Sequence, residues 1–289
     1  MIGSALRGRV ESLLGQSVRS FSRVTGGDIN EAFELGLDDG RSVFLKTNAR
    51  APLNLFAAEA RGLQFLRQAR ALRIPEVLAV SAADEASPFL LLEFIRGAAP
   101  RPGFDEQLGR ALARLHRFGA PSFGFDEPNF IGRLVQENQP LSSWAEFYRD
   151  QRLEPQLCAA EARGLAPRTL RRKFEQLFSK LPELTGEPED PARLHGDLWS
   201  GNLHVDEQGA PCLIDPAAYG GHREMDLAMM RLFGGFSERV FAAYAEEFPL
   251  SSGHPERVSL WQLYPLLVHL NLFGGSYLRA VEQALAAYV

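Results

Sequence analysis

The sequence predicts an α+β fold of two lobes, with a small antiparallel sheet in the amino-terminal lobe and a mainly helical carboxy-terminal lobe. β-rich runs separated by turn residues fill the first third of the chain, whereas helical patterns dominate the rest. A chain of 289 residues is also long enough to form two lobes that share an interface. We place the lobes at residues 1–95 and 96–289, and we expect a cleft between them.

The elements of the amino-terminal lobe follow from local sequence patterns. The opening residues carry apolar side chains at every third or fourth position, which predicts an amphipathic helix. β-rich runs follow on both sides of the pair Gly26-Gly27, and a second turn, Asp38-Asp39-Gly40, precedes the strand VFLK. Apolar residues recur at helical spacing within residues 52–71, and the strands VLAV and FLLLEFI complete the lobe.

The carboxy-terminal lobe begins where the composition changes abruptly. The apolar strand of residues 89–95 is stopped by Arg96-Gly97 and by a proline-rich segment that ends at Gly103. Helical patterns then dominate, in the segments FDEQLGRALARLHRF, SSWAEFYRDQRLEPQL and PRTLRRKFEQLFSKL and from Glu224 to the end. The exception is a strand-rich patch over residues 194–214.

Charge and cysteine content argue against several classes of protein. The formal net charge of −5 provides no positive field for binding nucleic acid or anionic lipid. Cys158 and Cys212 are the only cysteines and lack CxxC spacing, which argues against a disulfide framework and a zinc site. The opening residues do not resemble a secretory signal, and the stretch 260–273 is too short and too polar to cross a bilayer. We therefore expect a soluble cytoplasmic protein with neither nucleic acid nor membrane as a partner, and no pattern predicts its oligomeric state.

One segment has the H-x-D-x-x-x-x-N spacing of a kinase catalytic loop, with Gly196 where protein kinases usually have Arg. It runs from His195 through Asp197 to Asn202, and Asp215 follows at the end of an apolar strand. In phosphoryl transfer one carboxylate accepts the proton of the attacking hydroxyl, while an amide oxygen and a second carboxylate hold Mg²⁺. We therefore assign Asp197 as the catalytic base and Asn202 and Asp215 as metal ligands. Each residue alone could merely cap a turn, so the prediction depends on their joint spacing.

The amino-terminal lobe is predicted to bind the nucleotide, which makes ATP and Mg²⁺ the expected cofactors. Main-chain N–H groups between two strands could cradle phosphate oxygens, in the segment Gly26, Gly27, Asp28, Ile29 and Asn30. A simple hairpin turn explains that segment equally well. Lys46 is expected to pair with the α- and β-phosphates, and Glu59 on the following helix would hold its ammonium group. The main chain of Glu93, Phe94 and Ile95 is expected to meet the adenine edge.

Two residues are predicted to support the catalytic loop. Asp226 could accept hydrogen bonds from the loop backbone, or it could stabilise the start of a helix through the macrodipole. The two readings of Asp226 are compatible. His195 is interpreted as a structural hydrogen-bonding residue of the loop and not as the base, because its spacing matches the scaffold position.

Four segments together resemble the fructosamine or ketosamine kinase family, which belongs to the aminoglycoside phosphotransferase and choline kinase-like group of protein-kinase-like enzymes. They are LHGDLWSGN (194–202), IDPAAYGGHREMDLAM (214–229), GGDIN (26–30) and FGFDEPNFIG (123–132). The resemblance implies ATP-dependent phosphorylation of the 3-hydroxyl of fructosamine, ribulosamine or erythrulosamine adducts on free or protein-bound lysine. The phosphorylated adduct then releases the amine, which amounts to deglycation. Trp199 would form a wall for the sugar, although core packing explains this residue equally well.

Other functions stay open at this stage. Within the same fold, the chain could phosphorylate an aminoglycoside, a choline-like alcohol or another small polyol. From a different class, it could be a nucleotide-binding pseudokinase module, but a protein without turnover has no physical need for Lys46, Asp197, Asn202 and Asp215 together. Asp215 is followed by Pro-Ala and not by Phe-Gly, so a protein-kinase activation switch is not expected.

Overall fold

The amino-terminal lobe is built on a five-stranded antiparallel sheet with the strand order β1-β2-β3-β5-β4. The computed structural model describes residues 3–24, 30–82, 85 and 87–289. The elements of this lobe are α1 (Ser4–Leu14), β1 (Val18–Val24), β2 (Glu31–Leu37), β3 (Ser42–Thr47), α2 (Leu55–Arg67), β4 (Val77–Val80) and β5 (Phe89–Glu93). The small antiparallel sheet that the sequence predicts is therefore confirmed.

Helices cover both faces of this sheet, which explains why β5 is apolar throughout. Successive side chains of a strand point to opposite faces. Leu90 and Leu92 pack with the apolar side chains of α2, whereas Phe89 and Leu91 lie in a second cluster that includes Leu6 of α1. Both faces of β5 are therefore buried, which is why its sequence is a continuous run of apolar residues.

The carboxy-terminal lobe is mainly helical, as predicted. Its helices are α3 (Phe104–Phe118), α4 (Trp144–Phe147), α5 (Glu154–Ala162), α6 (Arg168–Leu184), α7 (Glu224–Phe233), α8 (Glu238–Glu247), α9 (His254–Phe273) and α10 (Leu278–Leu285). A π-helical turn over Tyr148–Leu153 joins α4 to α5. Helices α3 and α8 approach so closely that a Cβ atom on Gly109 would lie 2.2 Å from the Val240 carbonyl oxygen. Glycine is therefore required at that crossing.

Short antiparallel strand pairs hold the loops of the carboxy-terminal lobe. The strands are β6 (Asn129–Ile131), β7 (Leu134–Gln136), β8 (Ala192–Leu194), β9 (Leu203–Val205), β10 (Pro211–Leu213) and β11 (Tyr219–Gly221). They pair as β6 with β7, β8 with β11 and β9 with β10. The β9–β10 pair lies in the predicted strand-rich patch, whereas β6, β7 and β11 are not predicted from the sequence.

The chain passes from one lobe to the other between the end of β5 and the start of α3. Residues 94–103 form neither helix nor strand. The exact boundary after residue 95 stays a prediction. In the part of the chain that the structure describes, no helix has the length and apolar character needed to span a membrane.

Candidate active site

Lys46 connects the two lobes through a pair of carboxylates. Its Nζ atom lies 2.7 Å from Oε1 of Glu59 on α2 and 2.5 Å from Oδ1 of Asp215. Burial alone would lower the pKa of Lys46, but the negative charges of Asp215 and Glu59 outweigh burial and raise it. Burial also raises the pKa of Glu59, although the Lys46 charge opposes that shift. Lys46 therefore remains a buried cation at neutral pH.

Asn202 brings the predicted base and the second predicted metal ligand together. Its Nδ2 atom donates to the main-chain oxygen of Asp197 at 2.8 Å and to Oδ2 of Asp197 at 3.2 Å. The same Nδ2 lies 3.4 Å from the main-chain oxygen of Asp215. A short 3₁₀ turn over Ser200–Asn202, followed directly by β9, places Asn202 in this position.

Asp197 lies in an environment that disfavours its ionised form. Burial is the main cause, and the negative charges of Asp215 and Asp226 add to it, whereas the hydrogen bond from Asn202 acts in the opposite direction. Together these effects raise the pKa of Asp197 from 3.8 to about 7. A carboxylate with a pKa near neutrality is well suited to accept a proton from a hydroxyl group.

Asp226 holds the backbone of the catalytic loop. Its Oδ2 atom accepts the N–H of His195 at 2.8 Å, and its Oδ1 atom accepts the N–H of Gly196 at 2.9 Å. Asp226 also lies in the first turn of α7, so both readings of this residue agree with its position. Burial alone would raise its pKa, but hydrogen bonds, chiefly the one from His116, lower it overall.

His195 links the catalytic loop to the strand that precedes Asp215. Its Nδ1 atom accepts the N–H of Asp197 at 3.3 Å, so Nε2 carries the proton and donates to the Ile214 carbonyl at 2.9 Å. Burial lowers the pKa of His195, which keeps the ring neutral and agrees with this tautomer. These contacts agree with a structural function for His195.

His116 also contributes to the site, and this contribution is not predicted from the sequence. It is buried on α3, its Nε2 atom lies 3.2 Å from Oδ2 of Asp226, and its Nδ1 atom lies 2.8 Å from the Tyr244 hydroxyl. An ionised carboxylate can only accept, so Nε2–H donates to Asp226, and the Tyr244 hydroxyl is the hydrogen-bond partner of Nδ1. A histidine on the apolar face of an amphipathic helix is the only sequence signal for this contact.

Backbone geometry explains why the loop carries glycine where protein kinases have arginine. Gly196 has φ +81°, and a Cβ atom there would lie 2.1 Å from the Ala217 carbonyl oxygen. Any larger residue would strain the backbone and collide with the segment after Asp215. Asp215 itself has φ +55°, a left-handed conformation that is uncommon outside glycine and is concentrated at functional sites.

Trp199 lies on the surface beside the catalytic loop. Its side chain is 42% exposed, and a Cβ atom on Gly201 would lie 2.2 Å from the Trp199 ring. The ring therefore covers the Gly201 backbone on one side and faces solvent on the other. This position argues against core packing and leaves an aromatic surface for a sugar.

Some polar groups of the predicted adenine-binding segment are already engaged within the protein. The Glu93 N–H donates to the Glu76 carbonyl at 2.8 Å, and the Glu93 carboxylate binds Arg73 at 2.6 Å. The Ile95 carbonyl lies 3.1 Å from Nε2 of His204. Contacts to adenine along Glu93, Phe94 and Ile95 stay a prediction, and they would have to use other main-chain groups than these.

Most of the predicted phosphate cradle lies outside the described residues. This applies to Gly26, Gly27, Asp28 and Ile29. Asn30 is described, and its Oδ1 atom accepts a hydrogen bond from Nδ2 of Asn48 at 3.1 Å. The phosphate-binding function of this segment stays a prediction.

The arrangement fits a magnesium ion that is shared with a nucleotide. Within the described ranges, no group of three or more His, Cys, Asp or Glu side chains forms a complete metal site. Mg²⁺ in kinases, however, needs only one or two protein ligands because phosphates and water supply the others. The Lys46 ammonium at Oδ1 of Asp215 shows that this carboxylate is placed to hold a cation. Because Nδ2 of Asn202 is engaged, its Oδ1 atom is the one left for a metal.

Sequence comparisons relate the chain to known proteins. The family model described as fructosamine kinase matches residues 6–289. A probable ketoamine kinase from Enterococcus faecium is 38% identical over 263 residues, which cover 91% of this chain and 92% of the relative. The chloroplastic protein-ribulosamine 3-kinase of Arabidopsis thaliana is 35% identical over 262 residues, with coverage of 90% and 79%.

Solved structures give the same result. The crystal structure of a fructosamine-3-kinase candidate from Thermobifida fusca superimposes with a TM-score of 0.90 at 38% identity and covers 98% of both chains. Aminoglycoside phosphotransferase APH(4)-Ia superimposes with a TM-score of 0.63 at 18% identity and covers 99% of both chains. At that identity the likeness concerns the fold alone, and it confirms the predicted protein-kinase-like fold.

Proposed function

Because the chain belongs to the fructosamine kinase family, we propose that it transfers the γ-phosphoryl group of ATP to the 3-hydroxyl of a ketosamine. The acceptor would be a fructosamine, ribulosamine or erythrulosamine adduct of lysine, either free or within a protein. The names of the similar ketoamine and ribulosamine kinases support this substrate class. Release of the amine from the phosphorylated product would make the reaction a deglycation step.

The residues of the cleft would divide the chemistry among them. Asp197 would orient the acceptor hydroxyl and take its proton, since its raised pKa of about 7 makes it a competent base at neutral pH. Lys46 would neutralise phosphate charge while Glu59 holds its ammonium group in place. Asn202 and Asp215 would hold Mg²⁺, which when bound neutralises the charge that develops on the phosphates.

The proposal rests chiefly on the contact between the two lobes at Lys46. A buried lysine from the sheet of one lobe meets the Asp215 carboxylate of the other lobe, beside the Asn202–Asp197 pair. Burial of charged groups is costly unless each has a partner or a function. Bringing two lobes together around one cation and two acidic residues is what phosphoryl transfer between a nucleotide and an alcohol requires.

Trp199 would form one wall of the acceptor site. Its exposed ring lies two residues after Asp197, where a sugar bound to the base would present its C–H surface.

The decisive experiment is a mass-resolved assay of ATP consumption and product formation against a panel of acceptors. The panel contains ribulosamine, erythrulosamine and fructosamine derivatives of lysine, with an aminoglycoside and choline as controls. Phosphate transfer to one or more ketosamines, abolished in Asp197→Asn, is the expected result. Transfer to the aminoglycoside or choline with none to the ketosamines would overturn the proposed substrate class.

We further propose a cytoplasmic location. Cys158 and Cys212 are both free thiols, which agrees with a reducing compartment. Fractionation of the native host, followed by immunodetection of the protein, tests this point directly.

A further inference from the structure

The hairpin formed by β6 and β7 has no function in the mechanism so far. It contains the end of the segment FGFDEPNFIG and ends at Gln136, and Asn138 follows two residues later. Both of these residues and Asn129 at its start are buried, with exposures of 1%, 1% and 4%. Buried amide side chains require hydrogen-bond partners, and their partners here show what the hairpin holds.

Gln136 uses its amide on three neighbours. Its Nε2 atom donates to the Ala217 carbonyl at 3.1 Å and to Oδ1 of Asn129 at 2.7 Å. Its Oε1 atom accepts the hydroxyl of Tyr264 from α9 at 2.7 Å. Ala217 lies two residues after Asp215, so Gln136 ties the segment after this carboxylate to the helical core.

Asn129 holds the next carbonyl of the same segment. Its Nδ2 atom donates to the Ala218 carbonyl at 2.8 Å. Its Oδ1 atom accepts from Gln136, and also from Nδ2 of Asn138 at 2.9 Å. Two consecutive carbonyl oxygens after Asp215 are thus fixed by two side chains that also bind each other.

Arg152 supports this network through Asn138 and has no carboxylate partner in the described part of the chain. Its Nη2 atom donates to Oδ1 of Asn138 at 2.7 Å, and its guanidinium lies 3.8 Å from the centre of the Tyr219 ring. The side chain is fully buried, and none of the ion pairs formed by the described residues includes it. Its Nη1 atom donates to the main-chain carbonyls of Glu137 and Gln151. Burying a cation that is compensated only by neutral oxygen atoms and rings is costly, which points to a function at this place.

The segment that follows Asp215 is therefore held on two sides. On one side β11 pairs with β8, the strand that leads into the catalytic loop. On the other side Gly124 and Gly220 exchange two main-chain hydrogen bonds of 2.8 Å, next to the bonds from Asn129 and Gln136. The segment after Asp215 thus lies between β8 on one side and the hairpin with Gly124 on the other.

We propose that Gln136 and Asn129 are positioning residues that fix the Asp215 carboxylate for metal binding by holding the Ala217 and Ala218 carbonyls. The inference rests on the proposed function, because it concerns the same metal site. The hairpin contributes through the backbone and not by contact with substrate. Its loss should therefore weaken binding of a divalent cation more than binding of the nucleotide alone.

The test measures Mn²⁺ binding by electron paramagnetic resonance in the presence of a non-hydrolysable ATP analogue. Gln136→Leu removes every hydrogen bond of this amide at similar volume, and we expect Mn²⁺ binding about tenfold weaker, the scale of one or two buried hydrogen bonds. Tyr264→Phe removes only the hydroxyl that orients Gln136, and we expect a loss of about threefold. The dissociation constant of the analogue without metal should not change.

Gln262→Leu is the matched control. Gln262 donates to the Ala228 carbonyl on α7 at 3.0 Å, so this variant loses a comparable amide–carbonyl bond away from the Asp215 segment. It should bind Mn²⁺ as the wild type does, even if its thermal midpoint falls. Unchanged Mn²⁺ binding in both Gln136→Leu and Tyr264→Phe, or equal weakening in Gln262→Leu, would overturn the inference. Wild-type protein that binds no Mn²⁺ with the analogue would overturn the proposed function as well.

Discussion

Nζ of Lys46 lies 2.5 Å from Oδ1 of Asp215, although 169 positions separate the two residues in the sequence. The contact joins the sheet of the amino-terminal lobe to the segment that follows β10. A metal ion at Asp215 would compete with this ammonium for the same carboxylate, and nucleotide phosphates would offer Lys46 another partner. The Lys46–Glu59 pair would then remain as the part that orients the lysine.

A double-mutant cycle tests whether Glu59 acts through Lys46. We expect Glu59→Gln to lower kcat/KM for ATP about tenfold, because the lysine loses the partner that lies 2.7 Å away. Lys46→Met should lower it by about a hundredfold or more, since phosphate charge is no longer neutralised. In the Lys46→Met background, Glu59→Gln should have almost no further effect. Fully additive losses in the cycle would show that Glu59 has a separate function.

Asp197→Asn tests the assigned base. The variant keeps the size and the polar contacts of the side chain but cannot accept a proton. Turnover should fall by about two to four orders of magnitude, the scale of positioned base catalysis, while the dissociation constant of ATP stays within about twofold. Asp190→Asn on the exposed surface is the control and should retain wild-type kinetics. Undiminished turnover in Asp197→Asn would exclude this residue as the base.

The raised pKa of Asp197 also predicts how stability depends on pH. Its pKa is about 7 in the folded protein and 3.8 in the reference state, so between these values the folded form keeps a proton that the unfolded chain releases. The free energy of unfolding must then fall as pH rises through this window and level off above it. In Asp197→Asn the amide does not titrate, so residue 197 contributes no such fall in the free energy of unfolding.

Urea unfolding of the protein without nucleotide or metal measures this effect. The stability of Asp197→Asn relative to wild type should increase steadily from pH 5 to pH 7 and level off by about pH 8. Asp190→Asn, at an exposed surface position, is unfolded in parallel as the surface control. A constant difference between Asp197→Asn and wild type across the range would mean that Asp197 titrates at its ordinary pKa.

The sequence predicts the elements that have a regular pattern. The helical pattern FDEQLGRALARLHRF coincides with α3 at Phe104–Phe118, because one face of this helix is apolar along its whole length. The strands β6, β7 and β11 have three residues each, which is too short for any periodicity to appear. They exist because tertiary contacts pair them, and no local pattern records those contacts.

The same limit applies to the site. The spacing from His195 to Asn202, followed by Asp215, predicts a cluster because phosphoryl transfer requires those residue types close together. Supporting contacts such as the one from His116 to Asp226 depend on where α3 meets α7, which only the folded chain defines. The engaged N–H of Glu93 is a further example, since its partner on residue 76 lies just before β4, the neighbouring strand of the sheet.

Trp199 provides the test of how the acceptor is recognised. Its ring is 42% exposed and covers the Gly201 backbone beside the catalytic loop, so its removal should affect the acceptor and not the nucleotide. We expect Trp199→Ala to raise the KM of the preferred ketosamine about tenfold, the scale of one aromatic contact, with the KM for ATP unchanged within about twofold. Trp199→Phe keeps a smaller aromatic face and should lie between the two. An unchanged ketosamine KM in Trp199→Ala would mean that the sugar is held by other residues, whereas parallel increases in both KM values would indicate that the ring supports the catalytic loop itself.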